Sequence, residues 1–288
     1  MKFENHNFIG IFDSGIGGIS VLNSCISLMP NENYVYFADS DNFPYGKKSK
    51  EELTNIGIKI LSKFNDLNAK ELIIACNTMS TNLKETSNEK YGNLHIVGTY
   101  PDITKIFTKG TIIKDTSINY SKSQGLSITR TRLKLLIIAT TATCKSKYLN
   151  ELIETCKNTI DIYLEPADFI VNAVERNKLD TIDFKNKLDD FFKEYSDIDC
   201  LFLGCTHFPH AIHNIREAIN TKVQILSSGD AAAKNAYNYL NDNNKLTNNN
   251  NSPYIYIIDK NLDDSKKQIY KSLIKSNNNI IFDNDFNI

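Results

Sequence analysis

The chain has 288 residues, a formal net charge of −1 and 41 % hydrophobic residues. That length suits one large domain or two ordinary ones, with enough apolar content for a core. Balanced charge excludes the basic stripe of a nucleic-acid binder, and no apolar run reaches the roughly 18 residues of a membrane-spanning helix. The opening stretch "MKFENHNFIGIF" lacks the apolar region of a signal peptide. A soluble cytoplasmic protein without nucleic-acid or membrane partners is the expectation. Six cysteines, at 25, 76, 144, 156, 200 and 205, show no CxxC spacing and are expected to be free thiols.

The first predicted strand, "FIGIF" (8–12), runs into "FDSGIGG" (12–18), where Asp13 and Ser14 occupy a strand end and three glycines follow. The spacing fits neither GxGxxG nor a P-loop, so the stretch reads as a strand–helix turn or a ligand seat. A second strand, "YVYFA" (34–38), leads into "ADSDNFPYGKKS", which offers Asp39, Pro44, Tyr45 and Gly46; taken alone, this is a Pro-Tyr-Gly turn. "SKEELTNIGIKILSKFNDLN" has helical spacing, with Ser49 placed to cap and Glu51 and Glu52 in the first turn. "LIIA" (72–75) ends in Cys76, Asn77 and Thr78, and "HIVG" (95–98) follows. Residues 108–132 are polar and irregular, which predicts a long loop or insertion.

The second half repeats the layout. "LKLLIIA" (133–139) ends in "TTAT", with Thr140 and Thr143, and "DIYL" (161–164) precedes a helix that carries Glu175, by itself a surface charge. "CLFLG" (200–204) ends in Cys205, Thr206 and His207, and "VQIL" (223–226) closes the series. His207, His210 and His213 form an HxxHxxH pattern, but three such steps drift around a helix axis and no carboxylate motif accompanies them. No metal is expected, and His210 and His213 read as solvated helix positions. "NDNNKLTNNNNS" (241–252) reads as a surface loop.

Continuous rather than alternating apolar runs, separated by helix-length segments, predict buried parallel strands and an α/β fold. The expected architecture is two pseudo-symmetric domains, each a mostly parallel sheet flanked by helices. Ligands of such sheets bind beyond the carboxyl ends of the strands, so all four polar clusters can share an interdomain cleft. One cysteine with a histidine base would make a thiol hydrolase, but the second cysteine would then be unexplained. Two cysteines in corresponding positions suit proton exchange on opposite faces of one carbon, and a thiol pKa of about 8.5 serves both directions.

With "FDSGIGGISVL", "FPYGKKS", "IIACNTMST", "ATTATCKS" and "LGCTHFP" in this order, the chain resembles the glutamate racemases, and its tail "YIYIIDKNLDDSKKQIYKSLI" is similar to the family's last strand and helix. The resemblance implies cofactor-independent interconversion of L- and D-glutamate, supplying D-glutamate for peptidoglycan and so for cell-wall biogenesis and cell shape. It implies Cys76 and Cys205 as paired acid/bases, with Asp13, His207 and Glu175 as their polar partners. Asp13, Ser14, Tyr45, Gly46, Asn77, Thr78, Thr140, Thr143, Thr206 and His207 are implied to hold the substrate. The implied domains are 1–100 plus 212–288, and 101–211. No lysine sits in a motif for pyridoxal phosphate, and a homodimer is the partner arrangement that the family suggests. Asn42 and the Thr99-Tyr100-Pro101-Asp102 stretch depart from the family pattern. A racemase of another amino acid such as aspartate, or an inactive binding homologue, are the competing readings.

Overall fold

The computed structural model describes residues 7–87, 90–101, 103, 132–248 and 252–284. The predicted insertion at 108–132 lies outside these residues except for Arg132.

The first sheet is built from β1 (Phe8–Asp13), β2 (Asn33–Ala38), β3 (Glu71–Ile74), β4 (Lys90–Tyr91), β5 (Leu94–Gly98), β10 (Tyr254–Asp259) and β11 (Asn279–Asp283), in the order β11-β10-β2-β1-β3-β5-β4. All its pairings are parallel except β4 with β5. The second sheet contains β6 (Leu133–Ala139), β7 (Ile160–Pro166), β8 (Cys200–Gly204) and β9 (Gln224–Ser227), all parallel, in the order β7-β6-β8-β9.

Alternation along each strand divides the side chains between two helical layers. In β1, Ile9 and Ile11 face α1 (Ile19–Leu28), α9 (Gly229–Asp242) and α10 (Asp264–Leu273), whereas Phe8 and Phe12 join the cluster of α2 (Lys50–Asp66) and α3 (Asn77–Ser87). In β6, Leu136 and Ile138 share a cluster with α6 (Asp168–Glu175), α7 (Ile182–Phe192) and α8 (Ile212–Ala218), while Leu135 and Ile137 pack with α5 (Lys147–Cys156). One apolar cluster therefore runs from the first sheet to the second. Ser49 caps α2 in a reciprocal box with Glu52, as its sequence implies. All six cysteines are free thiols.

Three expectations need correction. The boundary at 211–212 falls inside the second sheet's segment, because β9 pairs with β8 through Cys200↔Gln224 to Leu203↔Ser227. The chain returns to the first sheet only after Ser227. "DIYL" is not a buried run: β7 forms the sheet's edge, and Tyr163 is 38 % exposed. The tail adds a further strand, β11, beside β10.

Phe64 of α2 is fully buried, and its ring lies 6.4 Å from that of Phe8. Phe64→Ala is expected to cost about 3–5 kcal/mol, because the facing strand cannot collapse into the cavity. A urea titration that showed less than about 1 kcal/mol of loss would contradict this packing.

Candidate active site

The first strand of each sheet has the next strand on one side and a later one on the other, which makes a topological switch point. At the first, Asp13 ends β1 and Cys76 follows β3; at the second, Thr140 follows β6 and Cys205 follows β8. These four ends border one cleft of about 50 Å³, also lined by Ser14, Tyr45, Gly46, Asn77, Thr78, Thr206 and His207.

Two implied site residues lie behind the cleft wall instead of lining it. Thr143 shares hydroxyl contacts with Thr78 (3.2 Å) and Thr140 (3.0 Å), because the Thr140 cap of α4 (Thr141–Cys144) turns it inward. Glu175 stands behind His207, with its Oε1 2.7 Å from His207 Nε2, and it accepts the Ile16 N–H at 2.8 Å. Its partners lie far away in sequence, so a surface reading of Glu175 was natural and is incorrect.

Phe43, Lys47, Asp168, Val171 and Asn172 also line the cleft. Asp168, Val171 and Asn172 recur at helical spacing on α6, directly after β7. The strand-end rule applied to β7 would have found them. Asp39 and Asn42 are not among the lining residues: Asn42 Nδ2 donates to both Asp39 oxygens at 3.0 Å, and Tyr45 OH donates to Asp39 Oδ2 at 2.7 Å. The departure at Asn42 thus braces the turn that presents Tyr45.

The two thiols have opposite surroundings. Cys76 precedes α3 near Asp13; burial and the Asp13 charge push its pKa well up, against the pull of the Met79 and Thr78 amides. Asp13 is fully buried and accepts from Ser14 N–H and from Thr206 Oγ1 at 2.7 Å. Burial raises the Asp13 pKa to about 6, although the His207 charge and these hydrogen bonds oppose the shift. Cys205 Sγ lies 3.7 Å from His207 Nδ1. Burial disfavours the His207 cation, but hydrogen bonds with Cys205 and Glu175 outweigh it and hold the pKa well above the ordinary value. Burial would raise the Glu175 pKa too, yet the His207 contacts win and lower it. The resulting pair is a carboxylate and an imidazolium whose other N–H points at Cys205.

The glycines of "FDSGIGG" make room for this pair. A Cβ at Gly15 would lie 2.0 Å from Glu175 Oε1, and one at Gly17 would lie 2.3 Å from His207 Nδ1. Their use here is close approach by side chains from the other sheet. His210 also departs from expectation: it is half-buried, Nε2 lies 3.0 Å from the Gly17 carbonyl, and burial lowers its pKa to about 4. It is a neutral donor, not a solvated position. His213 is exposed.

No family model matches the chain. A glutamate racemase of Clostridium botulinum is 32 % identical over 273 residues, covering 93 % of this chain and 97 % of the relative. The glutamate racemase of Francisella tularensis, solved in complex with D-glutamate, superposes with a TM-score of 0.75 at 24 % identity, covering 97 % of this chain and 99 % of that one. An aspartate racemase of Picrophilus torridus gives a TM-score of 0.54 at 15 % identity, over 81 % of this chain and 94 % of that one. The architecture is therefore that of the two-lobed α/β racemases. Within that class, the extent and identity of the Clostridium match are decisive: the chain belongs to the glutamate racemase family.

Replacing Glu175 by Gln removes the charge that keeps His207 protonated. The imidazole titration of His207, followed by NMR in Glu175→Gln, is expected to move to lower pH than in the wild type. An unmoved midpoint would show that Glu175 only fills space.

Proposed function

We propose that this chain interconverts L- and D-glutamate by a two-base mechanism with Cys76 and Cys205. The observation that carries the reading is the placement of two thiols on one cleft, one beside the His207 ring and the other near Asp13. Burial and the Asp13 charge favour the neutral thiol of Cys76, while His207 Nδ1 stands 3.7 Å from the Cys205 sulfur. The pair is thereby ready as one base and one acid.

In the L-to-D direction, Cys205 takes the α-proton, and the electron pair left on the α-carbon delocalises into the carboxylate. Cys76 then gives its proton to the opposite face. One proton leaves the substrate and one returns, so the cycle ends with thiol and thiolate exchanged, and the reverse reaction restores them. Ser14, Asn77, Thr78, Thr140 and Thr206, with the Tyr45-Gly46 turn, supply the polar contacts that hold the substrate. Thr143 supports Thr78 and Thr140 from behind. The reaction needs no cofactor or metal in this reading. Its product serves peptidoglycan synthesis, and the enzyme works in the cytoplasm, as the family resemblance implies.

Circular dichroism with L-glutamate and L-aspartate, without added cofactor, tests the reaction directly: turnover of aspartate but not glutamate would overturn the substrate. Cys76→Ser and Cys205→Ser are each expected to lose at least 100-fold in racemisation, since a serine hydroxyl is a poor base at neutral pH. With an analogue that eliminates a β-leaving group after α-proton loss, Cys76→Ser should process only the L form and Cys205→Ser only the D form. Two variants that handled the same enantiomer would refute the two-base assignment.

The pH profile supplies a second check. The folded Asp13 pKa is raised to about 6, so its carboxylate is lost as pH falls through 6, not through its ordinary value of 3.8. The acidic limb of kcat/KM is expected near pH 6, and Asp13→Asn should abolish it. A limb that survives in Asp13→Asn belongs to another group.

A further inference from the structure

We propose that Lys47 is a specificity residue that receives the distal carboxylate of the substrate and makes the cleft select a dicarboxylic amino acid. The assignment rests on the glutamate reading and gives a role to a residue that reading leaves unused. Lys47 ends the turn Tyr45–Lys47 and lines the cleft next to Gly46. Among the described residues that line the cleft, it is the only Lys or Arg. Its ammonium has no hydrogen-bond or ion-pair partner among the described residues. The other cation at the cleft, His207, is already engaged on both ring nitrogens by Cys205 and Glu175.

The negative charges of the cleft make such a cation necessary. Asp13 accepts from Ser14 and Thr206. Asp168 Oδ2 accepts from Thr141 N–H and Oγ1 at 3.0 and 2.6 Å, while its Oδ1 points toward Gly46, 3.8 Å from where a Cβ there would be. A glutamate adds two carboxylates and one ammonium. Its α-carbon must sit between the thiols, and three further bonds carry the distal carboxylate away from them, within a cleft that Asp168 also lines. Neutral hydroxyls and amides can orient that group but do not offset its repulsion from Asp168. Lys47 does. Lys47 is exposed, and its flexible stem lets the ammonium fold over an entering carboxylate. Such a pair is weak in open water and stronger where the ligand excludes it.

The test is steady-state racemisation of L- and D-glutamate by the wild type, Lys47→Met, Lys47→Arg and Lys47→Glu. Lys47→Met is expected to raise KM for both enantiomers about tenfold, the loss of one charge-assisted contact, with kcat changed far less. Lys47→Arg should restore most of the affinity, and Lys47→Glu should weaken it beyond Lys47→Met. Added salt should raise KM in the wild type but not in Lys47→Met. If the wild type racemises glutamate while Lys47→Met keeps its KM, or loses kcat alone, the Lys47 assignment is wrong and the glutamate reading stands. If the wild type turns over neither enantiomer, the glutamate reading falls and this assignment falls with it.

Discussion

A buried imidazolium has to be matched by a buried carboxylate, and the shape of the cleft follows from that requirement. His207 is 3 % exposed and holds its charge against burial through its contacts with Cys205 and with Glu175, the carboxylate that faces Nε2. Glu175 in turn needs a second donor, which Ile16 N–H supplies from the opposite lobe. For the carboxylate to reach that amide, position 15 must lack a side chain, and for the ring to lie beside it, position 17 must as well. The turn after β1 is therefore shaped by residues that arrive more than 150 positions later in the chain.

The same requirement makes the two halves chemically unequal although they are topologically alike. β1, β2 and β3 are arranged as β6, β7 and β8 are, and each half ends one strand in a cysteine. Exact chemical symmetry would give two thiols of equal acidity, neither poised to start. Here Cys205 faces the His207 ring and Cys76 lies near Asp13, so the two sulfurs meet different charges.

Strand positions were legible because parallel strands buried on both faces read as unbroken apolar runs, as in "FIGIF", "LIIA" and "CLFLG". The polar strand ends were legible for the same reason: the run stops where the cleft begins. What failed depends on distance in sequence. Whether "VQIL" joins the first sheet or the second is decided by its pairing with β8, which no local pattern encodes. "DIYL" looks like its neighbours, but an edge place leaves its side chains part-buried or exposed. Local pattern alone makes Glu175 and His210 surface positions and does not tell whether Thr143 meets the cleft, because each is defined by a partner elsewhere: His207, the Gly17 carbonyl and Thr78; only the family resemblance ties Glu175 to the thiols.

Those distant partners share a geometry. Thr206 Oγ1 reaches Asp13, Ser20 Oγ reaches the Thr206 carbonyl at 2.9 Å, Glu175 reaches Ile16, and Thr78 meets Thr140 at 3.1 Å. Each tie joins an element of the first sheet to one of the second, and each touches a residue that lines the cleft or its immediate support. Farther out, Lys84 of α3 lies over the rings of Tyr100 and Tyr148, at 5.1 and 4.0 Å from their centroids. An exposed contact of that kind is worth about 0.5–1 kcal/mol, less than the roughly 1.5–3 kcal/mol of a hydrogen bond to a charged group such as Ile16 N–H to Glu175. The lobes are thus joined most strongly around the cleft. Any motion that opened the cleft widely would break the Thr206–Asp13 and Ile16–Glu175 hydrogen bonds, so opening the cleft and the charge of Asp13 are physically coupled.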